Sequence, residues 1–231
     1  MSAETPDPSS DGITHHFTAA LFDFDETIVD LEEQHRAATT ALCRELGAEY
    51  DDIPEAIRTA SGTRILDELR MIREHFGWEP PVEELLARRQ RHFDEICATA
   101  DLQPMPGVVE VVRSLQQRLT LAVVSSAVRG SIEAILERLG LRDAFSLIVD
   151  GSEVQKGKPD PEIYLLAAQR LGRPPYECLV FEDSSVGVAA AKRAGMFCIG
   201  VRNARAQTHQ DLGLADLEAD GLDSLIPLLR R

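Results

Sequence analysis

The nine residues AALFDFDET, at positions 19–27, decide the fold. Their apolar beginning, residues 19–24, is typical of a strand buried on both faces of a parallel sheet. Two aspartates, Asp23 and Asp25, stand at the end of this strand, and strand alternation would place them on the same side.

Four similar apolar runs follow at residues 119–125, 146–149, 178–181 and 197–201. Helical patterns at 108–117, 131–139, 162–171 and 186–194 lie between and around these later runs. The alternation predicts an α/β fold with a doubly wound parallel sheet.

The first interval between strands breaks this rhythm. Roughly 95 residues separate the first two runs, far more than one crossover helix needs. The interval carries helical patterns at 32–46, 65–76 and 82–99. We therefore predict a helical cap at 31–101, inserted into a Rossmann-like core formed by 17–30 and 102–231. Residues 1–16 are expected to form a flexible tail, and 212–231 a final strand and helix.

Composition narrows the function classes. The 231 residues carry 24 basic and 39 acidic side chains, for a net charge of -15. The electrostatic field of so negative a chain repels nucleic acid and anionic membranes, so we expect neither as a partner. No apolar run reaches the roughly 18 residues of a membrane span. The four cysteines lack close spacing, which favours free thiols in a cytoplasmic protein. A monomer or homodimer is expected.

Further polar clusters follow the later strands. They are Ser125–Ser126, Lys158 in a Gly-Lys-Pro sequence, and Glu182–Asp183. Ligands of open α/β sheets bind in a crevice at the carboxyl ends of the strands. These clusters and the two aspartates should therefore line the same crevice. Carboxylates suit a hard divalent cation, and an ammonium with hydroxyls suits a phosphate. Taken alone, the aspartate pair could also be structural, with one carboxyl protonated or both solvated.

Four ordered segments carry a resemblance to a known family. They are DFDET at 23–27, VVSSA at 123–127, KGKPDPEIY at 156–164 and FEDSSVGVAAAKRAGM at 181–196. The sequence resembles the haloacid dehalogenase superfamily, within it the phosphatase and β-phosphoglucomutase-like branch with a helical cap after the first strand. The resemblance covers nearly all of the chain beyond the tail.

The resemblance implies a role for each matching residue. Asp23 matches the nucleophile that forms an aspartyl-phosphate, and Asp25 the general acid/base. Ser125, Ser126 and Lys158 match positions that bind phosphate and substrate. The implied cofactor is Mg²⁺, held by Asp23, the Asp25 carbonyl and Asp183, with Glu182 as a second acidic contributor. The implied activity is hydrolysis of a small phosphomonoester, a sugar or sugar-like phosphate, and the implied partner is that phosphorylated small molecule.

Three other activities compete with a phosphatase. Dehalogenases and phosphonatases of this superfamily lack the second aspartate, so Asp25 argues against both. His35 is shared by β-phosphoglucomutases and many sugar phosphatases. Mutases bind a second phosphate with polar residues that follow the phosphate-binding serine. This chain has Ala127 and Val128 at those positions, followed by Arg129, which could partly replace the missing polar contacts. A phosphatase is favoured. The remaining alternative is a member of the family that binds a ligand without catalysis. The presence of all the acidic, serine and lysine residues named above argues against it.

The cap should decide substrate choice. Gly62, Thr63 and Arg64 fall where relatives carry a substrate-facing loop, so Arg64 and His35 are candidate substrate contacts. Arg88 and Arg89 are weaker candidates, because a basic helical stretch is typically a solvated face. Glu26 stands where most relatives carry glycine, and we interpret its side chain as pointing to solvent.

Overall fold

The computed structural model describes residues 16–59, 64–203 and 210–229. The predicted tail before residue 16, and the cap residues Gly62 and Thr63, lie outside these ranges. Within these ranges, six parallel strands form one sheet in the order β3-β2-β1-β4-β5-β6. Their bounds are β1 Ala19–Phe22, β2 Thr120–Val124, β3 Leu147–Val149, β4 Cys178–Glu182, β5 Phe197–Val201 and β6 Leu217–Ala219. The predicted doubly wound parallel sheet is confirmed.

The central strand β1 ends earlier than predicted. It stops at Phe22, although the backbone N–H of Asp23 still donates to the carbonyl of Phe181 at 2.9 Å. Asp25 then pairs with Val29 as an isolated bridge inside a tight turn. The strand alternation proposed for Asp23 and Asp25 is therefore wrong. The chain leaves the sheet between them, because the turn satisfies its own backbone groups.

Nine α-helices are described, and those after residue 107 cover both faces of the sheet. Their bounds are α1 Glu32–Glu45, α2 Glu55–Arg58, α3 Ile65–Phe76, α4 Val82–Thr99, α5 Val108–Leu115, α6 Arg129–Arg138, α7 Glu162–Leu171, α8 Ser185–Arg193 and α9 Ile226–Leu229. Alternate β1 residues enter two apolar clusters: Ala20 and Phe22 join α5 and α6, and Leu21 joins α7 and α8. Both faces of β1 are thus buried, which explains its uniformly apolar sequence.

The described part of the inserted segment, residues 31–59 and 64–101, is mostly helical and has an apolar cluster of its own. That cluster joins Leu42 of α1, Leu69 of α3 and Leu85 of α4. The short helix α2 has no counterpart among the helical patterns of the sequence. On its other side the segment places Ala38 and Phe93 in the cluster of the sheet. The division into core and cap stays a prediction that these clusters support. Within the described ranges no helix has the length and apolar character that crossing a membrane requires.

Gly107 has a tertiary role that its position before α5 does not reveal. It adopts a left-handed conformation, φ +80°, and packs so closely on Asp223 that a Cβ atom would overlap the Asp223 backbone. Gly140, after α6, has a similar φ of +66° but no atom within 4 Å of such a Cβ. Substitution of Gly140 would therefore introduce backbone strain alone, whereas substitution of Gly107 would introduce both backbone strain and a steric clash.

We predict that Gly107→Ala destabilises the fold more than Gly140→Ala does. Left-handed strain should cost each variant about 1–2 kcal/mol, and overpacking against Asp223 should add about 1–3 kcal/mol in Gly107→Ala alone. Urea unfolding of both variants and the wild type measures the difference. Equal losses in the free energy of unfolding would contradict the close packing of Gly107.

Candidate active site

The candidate site lies at the carboxyl ends of three adjacent strands. Asp23 follows β1, and Ser125 follows β2. Glu182 is the last residue of β4, and Asp183 comes directly after it. Strands β2 and β4 both pair with β1, so their ends are neighbours at one edge of the sheet. The predicted convergence of these side chains is what the sheet order produces.

Lys158 joins this group from the loop before α7. Its Nζ lies 2.5 Å from Asp23 Oδ1 and also donates to Glu182 Oε1. The side chain of Lys158 is only 1 % exposed. Burial alone would lower the pKa of Lys158, but the charges of Asp23 and Glu182 outweigh burial and raise that pKa above its usual value. Lys158 is therefore a permanently charged ammonium held between two carboxylates.

Glu182 is fully buried and fully hydrogen bonded. Its Oε1 also accepts from the Tyr164 hydroxyl at 2.8 Å, and its Oε2 accepts from the backbone N–H and hydroxyl of Ser184 at 3.1 and 3.0 Å. Gly187 in α8 leaves the room that this carboxylate occupies. These contacts fix Glu182 as a rigid counter-charge for Lys158.

Asp23, Glu182 and Asp183 can together hold a metal ion. One ligand oxygen from each lies within 4.8 Å of the others, and all three residues are buried. Burial, with the charges of Asp23 and Glu182, raises the pKa of the Asp183 carboxyl well above its usual value. Three buried carboxylates face one ammonium in this cluster, so a divalent cation with oxygen ligands fits the donor set. Thr27 Oγ1, 3.5 Å from Asp183 Oδ1, is a further neighbour that the sequence analysis does not single out.

Ser125 directly follows β2, the strand that pairs with β1. It is buried, and its Oγ accepts from the backbone N–H of Ala127 at 3.0 Å. Its own N–H donates to the Val149 carbonyl, which fixes the loop after β2. Ser126 is half-buried, and its carbonyl closely faces Gly151. These contacts fix Ser125 at the carboxyl end of β2, at the same edge of the sheet as the end of β1.

Asp25 contacts the first helix of the inserted segment. Its Oδ1 lies 3.1 Å from His35 Nε2, and His35 Nδ1 lies 3.1 Å from a guanidinium nitrogen of Arg89. A guanidinium only donates hydrogen bonds, so Nδ1 must accept and the neutral ring carries its proton on Nε2. His35 therefore donates to Asp25, which is held as an acceptor in this arrangement.

Arg89 corrects the interpretation of the basic stretch in α4. It is 2 % exposed, and it also donates to the Thr39 hydroxyl and the His35 carbonyl at 3.0 and 3.1 Å. Arg88, one residue earlier, lies on the surface and pairs with Glu45 and Glu84. The prediction of a solvated face holds for Arg88 and is wrong for Arg89, because adjacent helix positions point about 100° apart.

Comparison with known proteins identifies the family. A family model described as haloacid dehalogenase-like hydrolase matches residues 17–195. Validoxylamine A 7'-phosphate phosphatase from Streptomyces hygroscopicus subsp. limoneus is 35 % identical over 211 residues, 87 % of this chain and 94 % of that protein. The chain belongs to the haloacid dehalogenase-like hydrolases. The predicted family and its enzymatic character are confirmed.

Two further matches show how broad this branch of hydrolases is. The β-phosphoglucomutase of Bacillus subtilis is 30 % identical over 198 residues, 84 % of this chain and 87 % of that protein. A crystal structure of CbbY from Rhodobacter sphaeroides in complex with phosphate superposes with a TM-score of 0.82 and 27 % identity, covering 93 % of this chain and 100 % of the other. The predicted phosphatase and β-phosphoglucomutase-like branch is therefore confirmed.

Arg64 of this hydrolase is engaged in ion pairing and a contact with the core. Its guanidinium makes two contacts with the Asp67 carboxylate, at 2.8 and 3.2 Å, and donates to the Val154 carbonyl at 3.0 Å. Its aliphatic stem packs over Gly157, next to Lys158. The structure therefore brings Arg64 to the rim of the Lys158 loop, and its contact with substrate stays a prediction.

The interpretation of Glu26 as a solvent-pointing side chain is wrong. Its Oε1 accepts from the Leu31 N–H at 3.2 Å, and its Oε2 accepts from the Asn203 side chain. Burial and the nearby charge of Asp30 raise the pKa of Glu26 from its usual value to about 8. The backbone at Glu26 is left-handed, φ 61°, so the loop does use the conformation that glycine gives relatives. Sequence reasoning misses the contact with Asn203 because 177 positions separate the two residues.

We predict that Mg²⁺ stabilises this hydrolase more at pH 8 than at pH 5. An unfolded Asp183 has a pKa near 3.9, whereas the folded value is raised. Without metal, the folded state keeps a proton that the unfolded chain releases, so stability falls as pH rises from about 4 to the folded pKa. A divalent cation requires the ionised carboxylate, so its benefit grows over the same window.

Thermal midpoints with Mg²⁺ or with chelator, at both pH values, measure this effect. Asp183→Asn is the control variant: it should lose the Mg²⁺ shift and show a flatter pH dependence in chelator. A Mg²⁺-induced shift of equal size at both pH values would contradict the raised pKa of Asp183.

Proposed function

We propose that the protein is a Mg²⁺-dependent phosphatase that hydrolyses a small phosphomonoester through an aspartyl-phosphate on Asp23. The observation that carries this proposal is the buried Lys158 ammonium between Asp23 and Glu182, beside Asp183. A phosphate dianion needs positive charge in a site lined with carboxylates, and Lys158 would supply it together with a bound cation. Asp23, the Asp25 carbonyl and Asp183 would hold Mg²⁺, with Glu182 beside them, and the ion would supply further positive charge to the phosphoryl oxygens.

Asp23 is placed to act as the nucleophile. A carboxylate is a competent phosphoryl acceptor and forms a labile acyl phosphate. Lys158 contacts one Asp23 oxygen, so it can both orient the attacking carboxylate and neutralise the transferring group. Ser125, buried at the end of β2, would donate a hydrogen bond from its hydroxyl to a phosphoryl oxygen.

Asp25 serves as general acid and base in the proposed reaction. It would protonate the departing alkoxide, then take a proton from the water that attacks the phosphorus of the phosphoenzyme. In the described arrangement His35 donates to Asp25, which suits the ionised carboxylate needed for the second step. Asp25 can be protonated for the first step without losing this hydrogen bond, because Oδ1 still accepts from His35 while Oδ2 carries the proton.

The state of Arg129 favours a phosphatase over a mutase. Its guanidinium lies 3.3 Å from the Asp150 carboxylate and 2.7 Å from that of Glu153, and it donates to the Ile148 carbonyl at 2.6 Å. To bind a second phosphate, Arg129 would have to give up its contacts with two carboxylates and a carbonyl. With Ala127 and Val128 beside it, the loop lacks the polar grip that a bisphosphate intermediate requires.

The substrate is proposed to be a sugar or sugar-like phosphate. The phosphatase relative named above, 35 % identical, acts by its name on the 7'-phosphate of validoxylamine A. Arg64 and His35 would contact the polar leaving group, since the core residues contact only phosphate and the reacting oxygen. We further propose a cytoplasmic enzyme, monomeric or homodimeric, with no nucleic-acid or membrane partner, in keeping with its net charge of -15.

We expect Asp23→Asn to lower turnover of p-nitrophenyl phosphate with Mg²⁺ by at least about a thousandfold, or ~4 kcal/mol of transition-state stabilisation. The amide is close in size but is a poor nucleophile. Asp51→Asn, at a 92 % exposed side chain, is the matched control and should keep wild-type turnover. Turnover of Asp23→Asn within about tenfold of wild type, under ~1.4 kcal/mol, would rule out Asp23 as nucleophile.

For Asp25→Asn we expect a penalty that depends on the leaving group. Aryl phosphates with a leaving group of low pKa need little protonation and should react almost as fast as in wild type, whereas alkyl phosphates should slow strongly. Single-turnover measurement of both is required, because slow hydrolysis of the phosphoenzyme would mask the difference. Equal penalties in the first chemical step would contradict the general-acid role.

A further inference from the structure

Glu26 is the only non-glycine residue in the described ranges with a positive φ. Its left-handed conformation is one that side chains disfavour and that glycine adopts freely. The turn around it is tight, since its N–H donates to the Val29 carbonyl at 2.8 Å. A glutamate at this position must offset its backbone strain by what its side chain contacts.

The Glu26 carboxylate joins two parts of the chain that are distant in sequence. One oxygen accepts from the N–H of Leu31, the residue that precedes α1 and opens the inserted segment. The other accepts from the side-chain amide of Asn203, just after β5. Glycine could make neither hydrogen bond, so the linker to α1 is held to the core by the glutamate side chain.

The hydrogen bonds continue from Asn203 to a metal-binding carboxylate. The backbone N–H of Asn203 donates to Gln210 Oε1 at 3.0 Å. Gln210 Nε2 in turn donates to the Asp183 carbonyl at 2.9 Å and lies 3.4 Å from Asp183 Oδ2. Asn203 is buried and Gln210 is half-buried, so solvent competes only partly for these bonds.

We propose that Glu26, Asn203 and Gln210 form a positioning chain that orients Asp183 for Mg²⁺ and ties this carboxylate to the linker of the inserted segment. The proposal rests on the proposed function, in which Asp183 is a metal ligand. Residues that orient a ligand carboxylate strengthen metal binding without touching the ion. The positioning chain would also make metal affinity depend on the position of the linker at Leu31.

Glu26 acts here through other residues and not as a ligand. The carboxylates whose oxygens come within 4.8 Å of one another are those of Asp23, Glu182 and Asp183. Within the described ranges, no such group includes Glu26. The two roles differ in what the variant Glu26→Gln would do. The glutamine side chain could accept from the Leu31 N–H through Oε1 and donate to Asn203 through Nε2 once the Asn203 amide rotates. A positioning role therefore survives Glu26→Gln, and a ligand role does not.

The experiment measures Mg²⁺ binding to the metal-free full chain by titration calorimetry, with thermal midpoints recorded in chelator. In Glu26→Gly and in Gln210→Ala, the dissociation constant for Mg²⁺ should rise about 10- to 100-fold. Glu26→Gly should leave the thermal midpoint in chelator nearly unchanged, because removal of the left-handed strain offsets the loss of the two hydrogen bonds. Weaker metal binding in a protein of nearly unchanged stability is a result that a merely structural role would not produce. Glu26→Gln should bind Mg²⁺ nearly as well as wild type.

Two controls sharpen the test. Gln103→Ala removes an exposed glutamine whose side-chain amide donates to Asp101, away from the positioning chain, and it should leave Mg²⁺ affinity unchanged. The double variant of Glu26→Gly and Gln210→Ala should bind Mg²⁺ little worse than the weaker-binding single variant, because both break the same chain of contacts. Fully additive losses would overturn the positioning chain.

The outcomes also separate this proposal from the proposed function. Wild-type protein that binds Mg²⁺ and hydrolyses p-nitrophenyl phosphate, while Glu26→Gly and Gln210→Ala keep wild-type affinity, would overturn the positioning chain alone. Loss in Glu26→Gln as large as in Glu26→Gly would overturn it in favour of a direct ligand. Wild-type protein that binds no Mg²⁺ would overturn the proposed function and the positioning chain with it.

Discussion

The arrangement of the site depends on one buried ammonium. Lys158 Nζ sits between Asp23 and Glu182 with a side chain only 1 % exposed. Burying carboxylates without a partner is strongly unfavourable, so two of the three in this cluster are tolerable only because Lys158 is there. Glu182, with Tyr164 and Ser184 filling its remaining hydrogen-bonding positions, holds the ammonium in place. Asp23 is thereby oriented by a charge that cannot move away.

Much of this site could be predicted from the sequence because parallel strands bring their carboxyl ends together. Asp23, Ser125, Glu182 and Asp183 each follow an apolar run, and the sheet order makes their strands neighbours. Lys158 is different: it follows no strand directly, and only its Gly-Lys-Pro sequence and the family resemblance point to it. Strand alternation fails at Asp25, because the turn 24–29 closes with its own hydrogen bonds, which no local pattern announces.

The two residues whose environments the sequence misrepresents share a physical cause. The sequence predicts that Arg89 lies on a solvated helix face and that the Glu26 side chain points to solvent. Both side chains are instead held by partners far along the chain, Arg89 by His35 and Glu26 by Asn203. Charge makes exposure the default expectation for such residues. Only tertiary structure supplies the partners that overturn it, and those partners lie 54 and 177 positions away. The departure from a family pattern, Glu26 for glycine, is the one sequence signal available.

The acidic character of the chain affects how the candidate site could bind a phosphate. A net charge of -15 repels a phosphate dianion at long range. At short range Lys158 is already neutralised by Asp23 and Glu182, and Asp183 adds another acidic group. The chain by itself therefore offers a phosphate no net positive field. A divalent cation on these carboxylates reverses the local sign of charge, and the groups that would repel the substrate become the ligands of the ion that attracts it. The cluster is thus better suited to binding metal before phosphate than the reverse. Asp183 depends most on residues that orient it, because its carboxylate is the one in the cluster that Lys158 does not contact by hydrogen bond in the described structure.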